Sequence, residues 1–262
     1  MPSSALYVAR TGLEAQDTRM RVIANNLANV STTGFKRDRA NFASLAYQDA
    51  RVAGAQSSNE TTYATGLNLG TGVGIQSTTP DMTEGSLQST GNALDLALDG
   101  DGYFQISMPG GQLSYTRAGN FTRSPEGLLV TSQGYALQPQ ITIPEGATGI
   151  TVAQDGTVSA TLPGSSQATS IGQITIASFT NPAALKAIGD NFYTETTGSG
   201  PVQLGIAGQN GRGNVRQGFL EASNVSVVSE LVDMIECQRA YEINSKMVSA
   251  VDDMLKNANQ TL

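Results

Sequence analysis

The chain has 262 residues, 39% of them apolar and 14% charged, with a formal net charge of −7; that composition excludes both a highly charged disordered chain and a membrane composition. It contains no histidine, no tryptophan and a single cysteine, Cys237, which removes Ser-His-Asp and Cys-His catalysis, His-based metal sites, intrachain disulfides and cysteine zinc clusters. The negative charge argues against nucleic acid, and no run approaches the ~20 apolar residues of a membrane span.

The first residues, MPSSALYVARTGLEAQ, show no basic region followed by an apolar core, so no cleaved secretion signal is expected. From there Leu6, Leu13, Met20 and Leu27 recur every seven residues, and Ala9, Gln16, Ile23 and Val30 lie three residues after each. This is a heptad seam with one polar interruption at Gln16, and it predicts a long helix over about 4–33 that stops before Gly34. Asn25, Asn26 and Asn29 place side-chain amides near its end, where they can hydrogen-bond neighbouring backbones and specify register.

Residues 46–69, AYQDARVAGAQSSNETTYATGLNL, are polar, small and aperiodic, which fits an extended arm between the helix and the middle of the chain. Gly54 and Gly66 are the positions where close backbone approach is expected. The adjoining GLNLGTGVG lacks the third glycine of a dinucleotide loop, since Ile75 stands there, and no βαβ pattern surrounds it. No cofactor is expected.

The middle of the chain, about 70–220, reads as mainly antiparallel β. Leu94, Leu96 and Leu98 alternate with Asp95, Ala97 and Asp99, and Phe104, Ile106 and Met108 alternate with Gln105 and Ser107. Glycine-bearing turns separate the strands, and TNPAALKAIG predicts one short helix capped by Asn181, opened by Pro182 and ended by Gly189. Asp95, Asp99 and Asp101 could be read as paired catalytic carboxylates or a calcium site. The GDG that begins just after Asp99 and the lack of a glutamate at loop spacing favour a solvated hairpin tip instead. No catalytic or metal site is expected.

After Phe219 no glycine or proline interrupts the chain, and Val227, Met234, Tyr241, Val248 and Leu255 again recur every seven. A second long helix is predicted there, capped by Ser223 or Asn224, with Val228, Leu231, Ile235, Met247, Val251 and Met254 widening its apolar face. Residues 1–40 carry net charge +3 and residues 221–262 net −4. Opposite charge and matching heptads predict an α+β chain whose terminal helices pair as a coiled coil: 1–45 and 221–262 as a helical domain, 46–69 as the arm, 70–220 as the β domain.

Several stretches carry a resemblance. ANNLANVSTTGFKR (24–37), GNALDLALDGDGYFQI (91–106), YTRAGNF (115–121), GLLVTSQGYAL (127–137) and the run from LEASNVSVV through AVDDML (220–255) resemble, in order, the flagellar axial proteins of the rod and hook family. Length, the 46–69 insertion and the AQSSNETT…GLNLGTGV run resemble its distal-rod members most, with hook and proximal-rod subunits as the neighbouring alternatives. The resemblance implies a structural subunit, not an enzyme. It implies self-polymerisation into a rigid tubular shaft in the basal body, contacts with proximal rod proteins, the hook protein and the P-ring and L-ring proteins, and export by the flagellar type III apparatus. The residues expected to carry assembly are Leu6, Leu13, Met20, Ile23, Asn25, Asn26, Leu27, Asn29, Val30, Gly34, Phe35, Gly54, Gly66, Met234, Tyr241, Asn244, Val248 and Leu255. From a different class, a carboxylate-dependent hydrolase would rest on Asp99 and Asp101, and an adhesin-like module would leave the heptads unexplained.

Overall fold

A computed structural model describes residues 2–56, 62–163 and 167–260. The chain forms two compact units. The first combines the N-terminal segment through Leu27, residues 38–79 and the C-terminal segment from Ser226. The second combines Ala28–Arg37 with Pro80–Val225.

In the first unit, helix α1 spans Pro2–Ala28 and helix α2 spans Val227–Gln260. Proline enters α1 only in its first turn, where its missing N–H costs nothing, and α2 holds neither glycine nor proline. α1 ends at Ala28, earlier than the heptads suggest. Asn29 and Thr32 turn the chain out of the helix, with the Thr32 N–H donating to Asn29 O and the Phe35 N–H to Thr32 O, so Val30 lies beyond it. The cap of α2 also differs from expectation: Ser226 precedes the helix and accepts the Glu230 N–H at its carbonyl, while Asn224 is engaged elsewhere. Strand Asp38–Ser44 pairs with Val73–Pro80, and Tyr47–Arg51 pairs antiparallel with Leu67–Gly70. The described residues of the 46–69 segment therefore form a two-stranded ribbon, bridged further out between Gln56 and Thr62, and 57–61 of the expected arm lie outside the described residues.

The second unit is β-rich. Its largest sheet runs in the order Lys186–Gly189, Phe192–Thr194, Leu113–Thr116, Tyr103–Ser107, Ala136–Gln138, Leu129–Val130, Thr122–Arg123. Thr175–Ser178 joins Tyr103–Ser107 to Gln203–Ile206. A three-stranded sheet (Gly149–Val152, Thr157–Thr161, Thr169–Gln173) and two strand pairs complete it, and every pairing among the described residues of this unit is antiparallel. The short helix foreseen in TNPAALKAIG is a single turn, Pro182–Ala184, and Lys186–Gly189 is a strand. Asn181 does not cap that turn; its side-chain amide points to Gly198 O.

The alternation read for Leu94–Asp99 and Phe104–Met108 does not mark a wet and a dry face, because these strands are covered on both. Ala97 and Gln105, foreseen as outward, are buried with Leu96, Leu98, Phe104 and Ile106. Phe104 belongs with Phe121, Leu137, Ile143 and Ile176 to one apolar cluster, whereas Tyr103 joins a second with Tyr115, Leu185 and Tyr193. Gln105 lies opposite Tyr115 of the neighbouring strand. Phe104 meets Phe121 edge-to-face with ring centroids 5.2 Å apart. Phe104→Ala removes this contact from a fully enclosed position, so it is expected to cost about 3–5 kcal/mol in urea unfolding monitored by circular dichroism. A loss below about 1 kcal/mol would show that the larger sheet does not organise the unit.

Candidate functional site

The helix pair comes first. The buried and half-buried positions of α2 are Glu230, Asp233, Met234, Cys237, Ala240, Asn244, Val248, Val251 and Leu255, with Tyr241 more open at 46% exposure. The every-seven series Met234, Tyr241, Val248 and Leu255 supplies part of this row. A second series, Glu230, Cys237, Asn244 and Val251, is mostly polar and so escapes an apolar count. Its polar members each meet a specific group on α1. The Asn26 amide donates to Glu230 Oε2 at 3.2 Å, the Cys237 thiol points at Gln16 O and Oε1 at 3.1 and 3.2 Å, and Asn244 lies against Gly12. These contacts run in opposite directions along the two helices, so the helices are antiparallel. Arg19 bridges them to Asp233 at 2.9 Å. The polar interruption at Gln16 thus faces the only cysteine. Burial, the largest influence, pushes that thiol above its ordinary range.

Opposite net charge at the two ends contributes less than expected. Arg10 pairs with Glu14, Arg21 with Asp17 and Lys256 with Asp252, all within one helix. Of the other foreseen residues, Ile23 is buried on α1 and Leu6, Leu13, Met20 and Leu27 are half-buried. Asn26 is enclosed and serves its own chain: its amide accepts the Asp38 N–H and donates to the Asp38 carbonyl, both at 2.9 Å. Asn25 is exposed, and Asn29 accepts a hydrogen bond from Thr32. Val228, Leu231, Ile235, Met247 and Met254, foreseen as part of the same face, are exposed. At 100° per residue, Val228, Val232 and Ile235 fall opposite Glu230, Cys237 and Asn244. Helix α2 therefore carries two apolar faces, and α1 covers one of them.

In the ribbon, Gly54 has a φ of +84° and open space around it within the chain, and a Cβ at Gly66 would lie 3.0 Å from Arg51 O across the ribbon. Tyr47, Val52, Leu67, Leu69 and Ile75 remain exposed.

The second unit gathers three motifs that lie far apart in sequence. Lys36 of TTGFKR donates to Glu221 Oε1 at 2.6 Å and to Thr83 O at 2.7 Å. Arg117 of YTRAGNF places Nε 3.2 Å from Glu221 Oε2 and donates through Nη1 to Gly100 O. The three side chains are at most 4% exposed, and the Gly85 N–H also donates to Glu221 Oε1. Two buried cations therefore share one buried carboxylate. Burial, opposed by Glu221 and reinforced by Arg117, holds the Lys36 ammonium below its usual range. Around the cluster the Gly34 N–H donates to Glu221 O, Asn191 donates to Thr33 O, and Asn224 accepts the Arg37 N–H while donating to Asp81 O and Thr83 O. Gly34, at φ +68°, packs so closely that a Cβ would sit 2.8 Å from the Arg117 carbonyl carbon. Phe35 beside it is half-buried. Lys36, Arg117, Glu221 and Asn224 were absent from the sequence-derived site; the available signal was a charge set among small and aromatic residues in three separate motifs.

Two of the three clustered aspartates have other tasks. Asp99 forms an ion pair with Arg216 at 2.6 Å, and Asp95 accepts from Thr90 and Asn92. Among the described residues no group of three His, Cys, Asp or Glu is placed to hold a metal ion, and no helix is long and apolar enough to cross a membrane.

Glu221→Gln leaves Lys36 and Arg117 buried without their counter-charge and is expected to destabilise the protein by about 3–5 kcal/mol, measured by urea unfolding. Glu221→Gln combined with Lys36→Met should recover a substantial part of that loss. Independent, additive costs would contradict a shared carboxylate.

Comparison with known proteins matches three stretches of the chain to family descriptions. Residues 6–36 match "Flagella basal body rod protein", 97–160 match "Flagellar hook protein FlgE/F/G D1 domain", and 216–261 match "Flagellar basal body rod FlgEFG protein C-terminal". The buried cluster draws one charge from each: Lys36, Arg117 and Glu221. Across nearly the whole chain it is similar to the flagellar basal-body rod protein FlgG of Buchnera aphidicola subsp. Acyrthosiphon pisum, 46% identical over 256 residues and covering 98% of both chains. The Caulobacter vibrioides FlgG is 45% identical over 257 residues with 98% of both covered, and the Borreliella burgdorferi FlgG is 45% identical over 257 residues with 97% of both covered. With nearly half its residues shared over almost its full length, the chain belongs to the FlgG family of flagellar basal-body rod proteins.

Proposed function

We propose that this structural subunit of the flagellar distal rod polymerises through the outer face of α2 into a shaft that carries motor torque to the hook. The observation that carries the reading is the second apolar face of α2. Val228 is 73% exposed, Ile243 61%, Val232 52% and Ile235 51%, which is far more apolar helix surface than an isolated subunit has reason to leave in water. Repeated along a polymer, the same face buries in every subunit. The inner face then works as a short antiparallel coiled coil between α1 and α2, whose polar pairs at Asn26–Glu230 and Gln16–Cys237 fix register.

The ribbon at 46–69 has a related role. Its exposed Tyr47, Val52, Leu67 and Leu69 brace neighbouring subunits against the sliding that bending requires. In this reading the polymer lies in the basal body between proximal rod proteins and the hook protein, turns inside the P-ring and L-ring proteins, and receives its subunits from the flagellar type III export apparatus.

Ile235→Asp tests assembly directly. The side chain is half exposed in a single subunit, so monomer stability should change by no more than about 0.5 kcal/mol, while polymerisation and swimming are lost because each contact buries an unpaired carboxylate. Normal motility in that variant would refute the proposed interface. Replacing residues 48–69 by a two-residue turn should leave the Phe104 core intact by circular dichroism and yield polymers that bend or fail to lengthen; straight, full-length rods would remove the bracing role.

A further inference from the structure

One cavity of the second unit is unaccounted for by assembly or by the core. It has a volume of about 220 Å³ and is lined by Met82, Tyr103, Phe179 and Pro182 on its apolar side and by Arg117, Thr180 and Asp101 on its polar side. Two hydrogen-bond donors line it. Arg117, with a side chain 4% exposed, holds Nε 3.2 Å from Glu221 Oε2, donates through Nη1 to Gly100 O, and lines the cavity. The Tyr103 hydroxyl finds only Met82 Sδ, at 3.3 Å, and a thioether is a weak acceptor. Burial raises this phenol to about 12, so at neutral pH it keeps its proton and can only gain by meeting an acceptor. Lys36 and Arg117 share the Glu221 carboxylate, and Glu84 adds a second acidic influence on Lys36. Asp101 is the opposing charge, but it is exposed at the mouth, where solvent and salt screen it.

We propose that this cavity is a binding site for a carboxylate carried on a compact apolar body, with the carboxylate received by Arg117 and the Tyr103 hydroxyl and the body held against Phe179, Met82 and Pro182. A charge-assisted bond to a nine-tenths buried guanidinium supplies the specificity, and the ring and thioether walls supply the apolar contact. The guanidinium is pre-positioned by Glu221 and Gly100, so binding orders little that is not already ordered.

The test uses the full chain and three probes of the same shape, benzoate, benzyl alcohol and benzylamine, with binding read by tyrosine ring NMR. Benzoate is expected to bind saturably and shift one tyrosine resonance, assigned to Tyr103 by Tyr103→Phe, with the alcohol and the amine at least tenfold weaker. Arg117 is also part of the buried ion cluster, so the blocking variant is Thr180→Trp, an exposed position of the lining that fills the cavity without touching that cluster; it should weaken benzoate at least tenfold. Equal binding of benzoate and benzyl alcohol, preference for benzylamine, or unchanged benzoate binding in Thr180→Trp would overturn the site. Benzoate added during polymer growth then identifies the source, an arm that alone rests on the assembly reading. Slowed growth assigns the carboxylate to an acidic side chain of a neighbouring copy, and unaltered growth assigns it to a free small molecule; either result keeps the site.

Discussion

A carboxylate pays a large desolvation cost to leave water, and Glu221 recovers it only if Lys36, Arg117 and the Gly85 N–H all reach it. That requirement makes one residue the meeting point of three distant stretches: the turn after α1, the strand that carries YTRAGNF, and the segment just before α2. None of the three can shift alone without leaving a buried charge exposed to an apolar surrounding. The backbone bonds from Gly34 to Glu221 and from Asp81 to Arg37 tie the same segments together. Arg117 has a further consequence, because the same residue lines a cavity.

The helical unit uses the opposite strategy. Its inner contacts are small and polar (Gly12 against Asn244, Gln16 against Cys237, Asn26 against Glu230), so specificity rather than apolar area dominates there. Apolar area is instead displayed outward on α2. A soluble monomer has no use for such a surface, whereas a repeating polymer recovers its free energy at every subunit. The subunit is thus completed by its neighbours, and the family to which the chain belongs is one whose members build a rod.

Much of this was legible in the residues. The two long helices, the antiparallel β character of the middle and the family motifs all stand in the sequence, because heptads, glycine turns and short motifs are local signals. The failures share a cause. The heptad signal registers apolar residues only, so Glu230, Cys237 and Gly12 carry none of it, and it does not separate the exposed Val228 and Ile235 from the covered face. Strands covered on both faces made Gln105 look outward when it is buried. The ion cluster was beyond reach because its members are separated by 81 and 104 residues and only the fold brings them together. Asn26 was singled out for the right chemistry, a side-chain amide bonding a backbone, but its partner is Asp38 of the same chain.

The central claim is that the outer face of α2 is open in the subunit and closed in the rod. Cysteine labelling reads this directly, because the native Cys237 is buried and a Val228→Cys variant adds one exposed thiol. The account predicts fast maleimide labelling of Val228→Cys in the monomer and at least a tenfold slower reaction in assembled rods. Equal rates in monomer and rod would place this face outside the assembly contact and contradict the account.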